Sequence, residues 1–228
     1  IQVNHWRGTS LQFRLIIKLS NLPANHTMLI MIAKVVGGCV RFTNKNKNII
    51  WVVNDFEEIQ KIIKIFDIYP LLTGRKICQL KFMKKCLKNL NIDDYFANKD
   101  RKYDDIEAII NSRPFIKVQG KEYFKNWLAG FVEAEGCFSL RKKNNHSFSV
   151  SQKNEKFLLE AIKEILYVSN NLRCIKGPPS GPLWGNFYIL EVYKRTSLIE
   201  IKHFFETHPL LGQKKESMDK FFKHQVFQ

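Results

Sequence analysis

The stretch WLAGFVEAEGCFSL, from Trp127 to Leu140, is the most informative segment of this 228-residue sequence. Gly130 and Ala134 are four residues apart, so they share one face of a helix, and such small side chains let a second helix approach closely. Glu135 and Gly136 follow at the helix end, where glycine suits a left-handed conformation. We therefore expect a helix that packs against a similar helix and carries the Glu135 carboxylate at its tip.

The chain also repeats itself. PLLTGRK at residues 70–76 reappears as PLLGQKK at residues 209–215, which is 139 residues later. In both copies an amphipathic helical pattern precedes this segment, and a strand-like run precedes that helix, namely IIWVV at residues 49–53 and FYILEVY at residues 187–193. Each copy therefore reads strand, strand, helix, strand, strand, helix and a further helix.

These elements predict an α+β fold made of two pseudo-symmetric repeats. The first repeat covers residues 1–90, and the second covers residues 121–228 with its opening helix at residues 124–136. Residues 91–120 are polar and rich in aspartate, so we interpret them as a solvated linker with one short helical stretch. The first repeat shows no counterpart of the opening helix in this sequence.

The composition points to a nucleic-acid partner. The net charge is +16 and is spread along the chain rather than gathered in a tail. Such an excess of lysine and arginine is typical of proteins that bind a polyanion, with an anionic membrane as the alternative to nucleic acid. The apolar runs are too short to span a bilayer, and the five cysteines and six histidines show no metal-ligand spacing. The abundance of residues with A+T-rich codons favours a protein encoded in an organelle.

Together, LAGFVEAEG at residues 128–136, FSVSQK at residues 148–153 and the twin PLL segments resemble the LAGLIDADG homing endonuclease and maturase family over nearly the whole chain. The resemblance implies that each repeat folds as αββαββα and that the repeats pair through their motif helices. It further implies that two antiparallel sheets form a saddle over the major groove of DNA. One acid from each motif helix would hold Mg²⁺ at the scissile phosphates.

The resemblance also implies roles for individual residues. Glu135 would be the metal-binding acid, and Gln152 would be a polar residue that orders water in the active site. Lys214 would be the basic residue beside the scissile phosphate. Its counterpart in the first repeat would be Arg75 or Lys76.

The first repeat departs from the family pattern in this sequence. The position that matches Glu135 would precede Ile1, and the position that matches Gln152 falls near Leu19, whose apolar side chain cannot order water. Glu133 occupies the other acidic position of the motif, which the resemblance implies to be structural. A site with one of its two acids predicts a chain that does not cleave.

For the chain as written we therefore expect a mitochondrial protein that binds structured RNA, either as a maturase or as a ribosome-associated component. The alternative is a Mg²⁺-dependent, intron-encoded homing endonuclease that makes a staggered double-strand cut, with its first motif upstream of Ile1. Whether the chain is an enzyme stays open at this stage. We expect a monomer without a membrane partner, and membership of a ribonucleoprotein assembly also stays open.

Basic residues on the predicted strands and hairpins are the candidates for nucleic-acid contacts, with solvated hairpins as the alternative. On DNA they would reach phosphates and base edges, and on RNA they would reach phosphates, 2′-hydroxyls and splayed loops. The candidates are Arg14, Lys18, Arg41, Lys45, Lys47, Arg141, Lys142, Lys143, Arg173 and Lys176.

Overall fold

The structure is a computed structural model that describes residues 1–112, 121–141, 146–177 and 185–224. The chain divides into two compact units, Ile1–Ser112 and Arg113–Gln228. The described part of each unit contains a four-stranded antiparallel sheet with helices packed on it, which confirms the predicted α+β class. None of the helices in the described ranges is both long enough and apolar enough to cross a bilayer.

The first unit follows the predicted order of elements. Its sheet has the strand order β1-β2-β4-β3, and every neighbouring pair is antiparallel. The elements are β1 (Gln2–Trp6), β2 (Ser10–Ser20), α1 (Pro23–Val36), β3 (Cys39–Thr43), β4 (Asn48–Val53), α2 (Phe56–Ile68), α3 (Gly74–Asn89), α4 (Ile92–Asn98) and α5 (Ile106–Asn111).

Alternation along β2 decides which face of the first sheet is covered by helices. Phe13 and Leu15 are buried in one apolar cluster with Trp51 and with residues of α1, α2 and α3. Because successive side chains of a strand point to opposite faces, Arg14 and Lys18 lie on the other side. We call that side the outer face of the first sheet.

The segment that we expected to be a linker is more ordered than the sequence indicated. Asn91 caps α4 by accepting hydrogen bonds from the backbone N–H groups of Asp93 and Asp94, and α5 follows. Tyr95 and Ile109 are buried, and Tyr95 belongs to the apolar cluster of the first unit. The aspartates of this segment are exposed, while Tyr95 of α4 packs into the core of the first unit.

The second unit contains the complete αββαββα order that the resemblance implied. Its sheet order, β5-β6-β8-β7, is the same as that of the first sheet. The elements are α6 (Lys121–Glu135), β5 (Cys137–Ser139), β6 (Ser147–Lys153), α7 (Lys156–Ile165), β7 (Arg173–Ile175), β8 (Phe187–Val192), α8 (Arg195–Thr207) and α9 (Gln213–His224).

The strand registers make the two sheets comparable residue by residue. Leu19 pairs with Ile49 in the first sheet, and Gln152 pairs with Tyr188 in the second. Ile49 and Tyr188 are 139 residues apart, which is the spacing of the PLL segments. Leu19 therefore occupies the position of Gln152, as the sequence indicated.

The role predicted for Gly136 is wrong. Its φ does not lie in the left-handed region, whereas the glycines at positive φ in the described residues are Gly8, Gly37 and Gly38. A Cβ at Gly136 would lie 2.5 Å from Cγ1 of Val132 and 2.7 Å from its carbonyl oxygen. Glycine is needed here because the chain passes so close to the preceding helical turn.

Candidate nucleic-acid interface and cleavage site

The motif helix α6 has a buried side and an exposed side. Leu128 and Val132 are fully buried in the second unit. Gly130, Ala134 and Glu135 are exposed, and a Cβ at Gly130 would meet no heavy atom within 4 Å in the described part of its unit. The small residues thus share an uncovered face, and packing of that face against a second helix stays a prediction.

Glu133 joins the motif helix to the second PLL segment. Its carboxylate accepts hydrogen bonds from the backbone N–H groups of Leu211 at 3.2 Å, Gly212 at 3.1 Å and Lys214 at 2.9 Å. The first N–H groups of a helix have no partner within that helix, and a negative charge is favourable there. Glu133 therefore caps α9 and holds the start of α9 against the end of α6.

The two lysines at the start of α9 differ in their partners. The Lys215 ammonium lies 2.6 Å from both carboxylate oxygens of Asp219, one turn further along the helix. Among the described residues, the Lys214 ammonium makes no ion pair. Lys214 therefore carries a charge that no neighbouring acid neutralises, at a position fixed by Glu133.

Glu135 and Gln152 lie toward the same end of the second sheet. Cys137 pairs with Ser149, and β5 and β6 are antiparallel, so the helix end before Cys137 lies toward the end of β6 that carries Gln152. Glu135 is exposed. The Gln152 side chain is half-buried, and its Oε1 accepts a hydrogen bond from the backbone N–H of Lys153 at 3.1 Å.

The register also locates the counterpart of Glu135 in the first unit. Ser139 pairs with Ser147, and the equivalent pair in the first sheet is Gln2 with Arg14. Glu135 precedes Ser139 by four residues, so its counterpart precedes Gln2 by four and lies before the first residue of this sequence.

The basic candidates of the first PLL segment lie in the first turn of α3. Arg75 is the residue 139 positions before Lys214, so it is the counterpart of Lys214, while Lys76 is the counterpart of Lys215. The Arg75 guanidinium lies 5.4 Å from the centroid of the Tyr103 ring. The Lys76 ammonium donates to Oε1 of Gln79 at 3.4 Å.

Basic residues line the outer face of the first sheet as the sequence indicated. Lys18 pairs with Ile50, and Ile50 pairs with Arg41 on its other side, so the backbone positions of the two basic residues are about 10 Å apart across one apolar residue. Arg14 lies on the same face and pairs with Gln2. This row can meet successive phosphates on either side of an apolar centre.

The hairpin between β3 and β4 carries two more candidates. Asn44, Lys45 and Asn46 all adopt positive φ, at 53°, 50° and 63°, which makes a tight left-handed turn. Lys45 and Lys47 are exposed at this tip. Their ammonium groups are free to reach beyond the end of the sheet.

The outer face of the second sheet carries fewer cations. Arg173 pairs with Ile189, and Ile189 pairs with Ser151. Alternate residues of β6 on this face are serines, which the pattern SFSVSQ shows and which were not among the residues predicted to contact nucleic acid. Lys176 is exposed directly after β7. Lys142 and Lys143 lie outside the described residues.

Glu191 is an acid on this basic face that sequence reasoning missed. The Arg141 guanidinium lies 2.7 Å from Oε1 of Glu191, and Ser147 Oγ donates to the same oxygen at 3.2 Å. Arg141 was predicted to contact nucleic acid, but in this structure it is engaged in an ion pair. Only the strand register could reveal this pairing, because the two residues are 50 positions apart in the chain.

The second unit supplies a carboxylate that suits a hard metal ion as one of its ligands. Within the described residues, no three His, Cys, Asp or Glu side chains come together as a metal site. Mg²⁺ characteristically keeps several waters and takes one or two carboxylates together with substrate phosphates, rather than a complete protein cage. The exposed Glu135 carboxylate suits such a partial site.

The sequence and the fold both match known proteins. A model of the family described as LAGLIDADG endonuclease matches residues 1–86 and 128–225. The chain belongs to this family. The crystal structure of the LAGLIDADG meganuclease I-CpaMI bound to uncleaved DNA is similar to it, with a TM-score of 0.70 and 18% identity, and the match covers 97% of this chain and 85% of the meganuclease. That similarity confirms the LAGLIDADG fold.

Two LAGLIDADG relatives share much higher identity with the chain. The "Probable intron-encoded endonuclease aI3" of Debaryomyces hansenii is 42% identical in an alignment 253 residues long that covers 98% of this chain. The protein of the same name from Dictyostelium citrinum is 43% identical over 225 residues, which cover 97% of this chain. The match spans 36% of the Debaryomyces protein and 88% of the Dictyostelium protein.

Proposed function

We propose that this chain is the DNA-recognising and cleaving part of an intron-encoded LAGLIDADG homing endonuclease. The observation that carries the proposal is the hydrogen bonding of Glu133 to the start of α9, because it holds the backbone of Lys214 beside the helix end that carries Glu135. The names of the intron-encoded relatives support an endonuclease more directly than the RNA-binding role that we expected from the sequence. Their intron-encoded origin also supports an organelle-encoded gene, and the mitochondrial location stays a prediction.

Each sheet would contact its own stretch of the DNA. Lys18 and Arg41, on the outer face of the first sheet, would meet phosphates. The polar side chains that lie from these two residues toward the hairpin tips would reach base edges in the major groove. Phosphate contacts fix the register of a protein on DNA but carry no sequence information. Specificity would therefore come from the uncharged polar residues, such as Gln12 and Ser151.

The second unit would act on one scissile phosphate. Glu135 would hold Mg²⁺, which supplies Lewis-acid stabilisation of the phosphate and activation of water when it is bound. Lys214 would stabilise the charge that develops on the phosphate, and its effect would be larger because Glu133 fixes its backbone before the reaction begins. Gln152 would orient the attacking water through its amide group.

A second candidate is a nucleic-acid-binding protein that favours structured RNA and no longer cleaves. The observation that favours it is Leu19, which occupies the position of Gln152 in the first sheet and offers no hydrogen bond to water. A first site with this deficiency would cut slowly or not at all. Binding of structured RNA requires only the basic faces and no water-ordering residue.

The deciding experiment uses the protein translated from its whole natural reading frame, incubated with a library of long duplex DNA in Mg²⁺. The endonuclease proposal expects cleavage at one preferred site, and it expects Glu135→Gln to abolish cleavage while binding persists. Glu107→Gln, an exposed acid on α5, is the matched control and should cleave like the parent protein. Absence of cleavage together with tighter binding to structured RNA than to any duplex would overturn the proposal in favour of the second candidate.

A further inference from the structure

Tyr103 lies between α4 and α5, outside both PLL segments, yet it contacts the start of α3. The Arg75 guanidinium lies 5.4 Å from the centroid of the Tyr103 ring, which is the geometry of a cation–π contact. The Tyr103 hydroxyl accepts a hydrogen bond from Nε2 of Gln79 at 2.9 Å. Residue 103 is therefore joined to α3 by both its ring and its hydroxyl.

Gln79 extends this contact to the next basic residue. Its Oε1 accepts from the Lys76 ammonium at 3.4 Å, while its Nε2 donates to Tyr103. Burial raises the pKa of the Tyr103 phenol. Hydrogen bonds from Gln79 and Arg75, with the charges of Arg75 and Lys102, lower it by more than burial raises it, so this pKa lies below its usual range. The lowered pKa reflects the donors and cationic charges that surround the phenol oxygen.

A tyrosine holds a cation without cancelling its charge. In the second unit, the Asp219 carboxylate neutralises Lys215. In the first unit, the ring and hydroxyl of Tyr103 are uncharged, so Arg75 keeps its full charge. A guanidinium has five N–H donors in a rigid fork, so donors remain for a phosphate after those used on Tyr103.

The two units therefore hold their basic residues in different ways. Glu133 fixes Lys214 through its backbone, from a helix of the same repeat. Arg75, the counterpart of Lys214, is held through its side chain by Tyr103, from the segment between the repeats. Tyr103 thus restricts the conformations of the long Arg75 side chain. Because the side chain is ordered before substrate binds, the entropic cost of its contact with a phosphate is lower.

We propose that Tyr103 is a positioning residue that aims Arg75, and Lys76 through Gln79, at the scissile phosphate served by the first repeat. The proposal rests on the proposed endonuclease function and adds to it a residue outside the repeats. It assigns to the segment between the repeats a part in cleavage of one DNA strand.

The test measures nicking of each strand separately, on a duplex that carries the preferred site and a different label at each end. Tyr103→Phe removes the hydroxyl and keeps the ring. We expect nicking of one strand to slow by about 3- to 10-fold, the size of one lost hydrogen bond in the transition state, while nicking of the other strand and the Kd for DNA stay within about twofold. Arg75→Lys should slow the same strand, because lysine cannot reproduce the planar contact.

Two further variants keep the test decisive. Tyr167→Phe is the matched control, because Tyr167 is a highly exposed tyrosine of the second unit, and it should leave both strands unaffected. The double variant Arg75→Ala with Tyr103→Phe should be no slower than Arg75→Ala alone, because Tyr103 acts through Arg75.

Equal slowing of both strands, or a fall in Tm that accounts for the loss, would assign Tyr103 a purely structural role and overturn the proposal. Unchanged nicking in Tyr103→Phe would also overturn it, while leaving the endonuclease function intact. If the parent protein cuts neither strand of any duplex, the proposed function fails, and the inference about Tyr103 fails with it.

Discussion

The Glu133 carboxylate accepts a hydrogen bond from the backbone N–H of Lys214 at 2.9 Å, across 81 positions of the chain. This contact makes one structural unit of the two most recognisable segments of the second repeat, the motif helix and the PLL segment. Glu135 is two residues beyond Glu133, so the exposed acid and Lys214, which makes no ion pair with the described residues, are positioned by the same carboxylate. Glu133, which would not contact the substrate, thereby positions Glu135, which would.

Replacement of Glu133 should destabilise the second unit. Glu133→Ala leaves three backbone N–H groups at the start of α9 without their acceptor, and we expect a loss of about 1–3 kcal/mol in the free energy of unfolding. Urea denaturation followed by circular dichroism measures it. Glu135→Ala is the control on the same helix, and its exposed side chain predicts a change below about 0.5 kcal/mol. Equal effects of the two variants would contradict the capping role.

Replacement of Gly136 should also destabilise the second unit, for a steric reason. In Gly136→Ala the new methyl would lie 2.5 Å from a methyl of Val132, and relief of that overlap costs about 1–3 kcal/mol. Gly130→Ala is the matched control on the same helix, where open space and better helix propensity predict no loss in the described unit. Thermal unfolding of both variants checks the prediction, and a stable Gly136→Ala protein would contradict it.

The outer face of the first sheet predicts a measurable dependence of binding on salt. Each phosphate contact that is lost makes the negative slope of log Kobs against log salt shallower by about 1. Lys18→Gln and Arg41→Gln should each make it shallower by that amount and weaken binding to all sequences alike. Lys61→Gln, an exposed lysine on α2, is the control and should leave the slope unchanged. An equal effect of Lys61→Gln would show that the total charge, rather than this face, decides binding.

Removal of Glu191 should strengthen binding. Glu191→Gln deletes a negative charge on the outer face of the second sheet and releases Arg141, whose guanidinium is 2.7 Å from Glu191. We expect a tighter non-specific Kd and a salt slope that is steeper by about 1, because one more cation becomes available to phosphate. Fluorescence anisotropy with mixed-sequence duplexes measures both quantities. Glu200→Gln on α8 removes the same charge away from the sheet, and a similar gain there would contradict the assignment to Arg141.

Much of the fold could be predicted because the repeat is visible in the sequence. The spacing between PLLTGRK and PLLGQKK also relates Ile49 to Tyr188, and the strand register then relates their partners Leu19 and Gln152, close to where the sequence had placed the match. The basic rows of the sheets could be predicted because side chains alternate along a strand. The segment around Tyr95 was interpreted as a linker because its aspartates dominate the composition, and the packing of its few apolar residues on the first unit is visible only in the structure.

The class of fold, the order of elements and the position of the exposed acid could all be read from the sequence, because they depend on local periodicity and on the repeat. The contacts of each polar side chain are visible only in the folded chain. Three contacts illustrate this, namely those of Glu133 with the start of α9, of Arg141 with Glu191 and of Arg75 with Tyr103. They join residues that are 28 to 81 positions apart in the chain. Such contacts depend on which surfaces the folded chain brings within a few ångströms of each other, and no local pattern in the sequence specifies that distance.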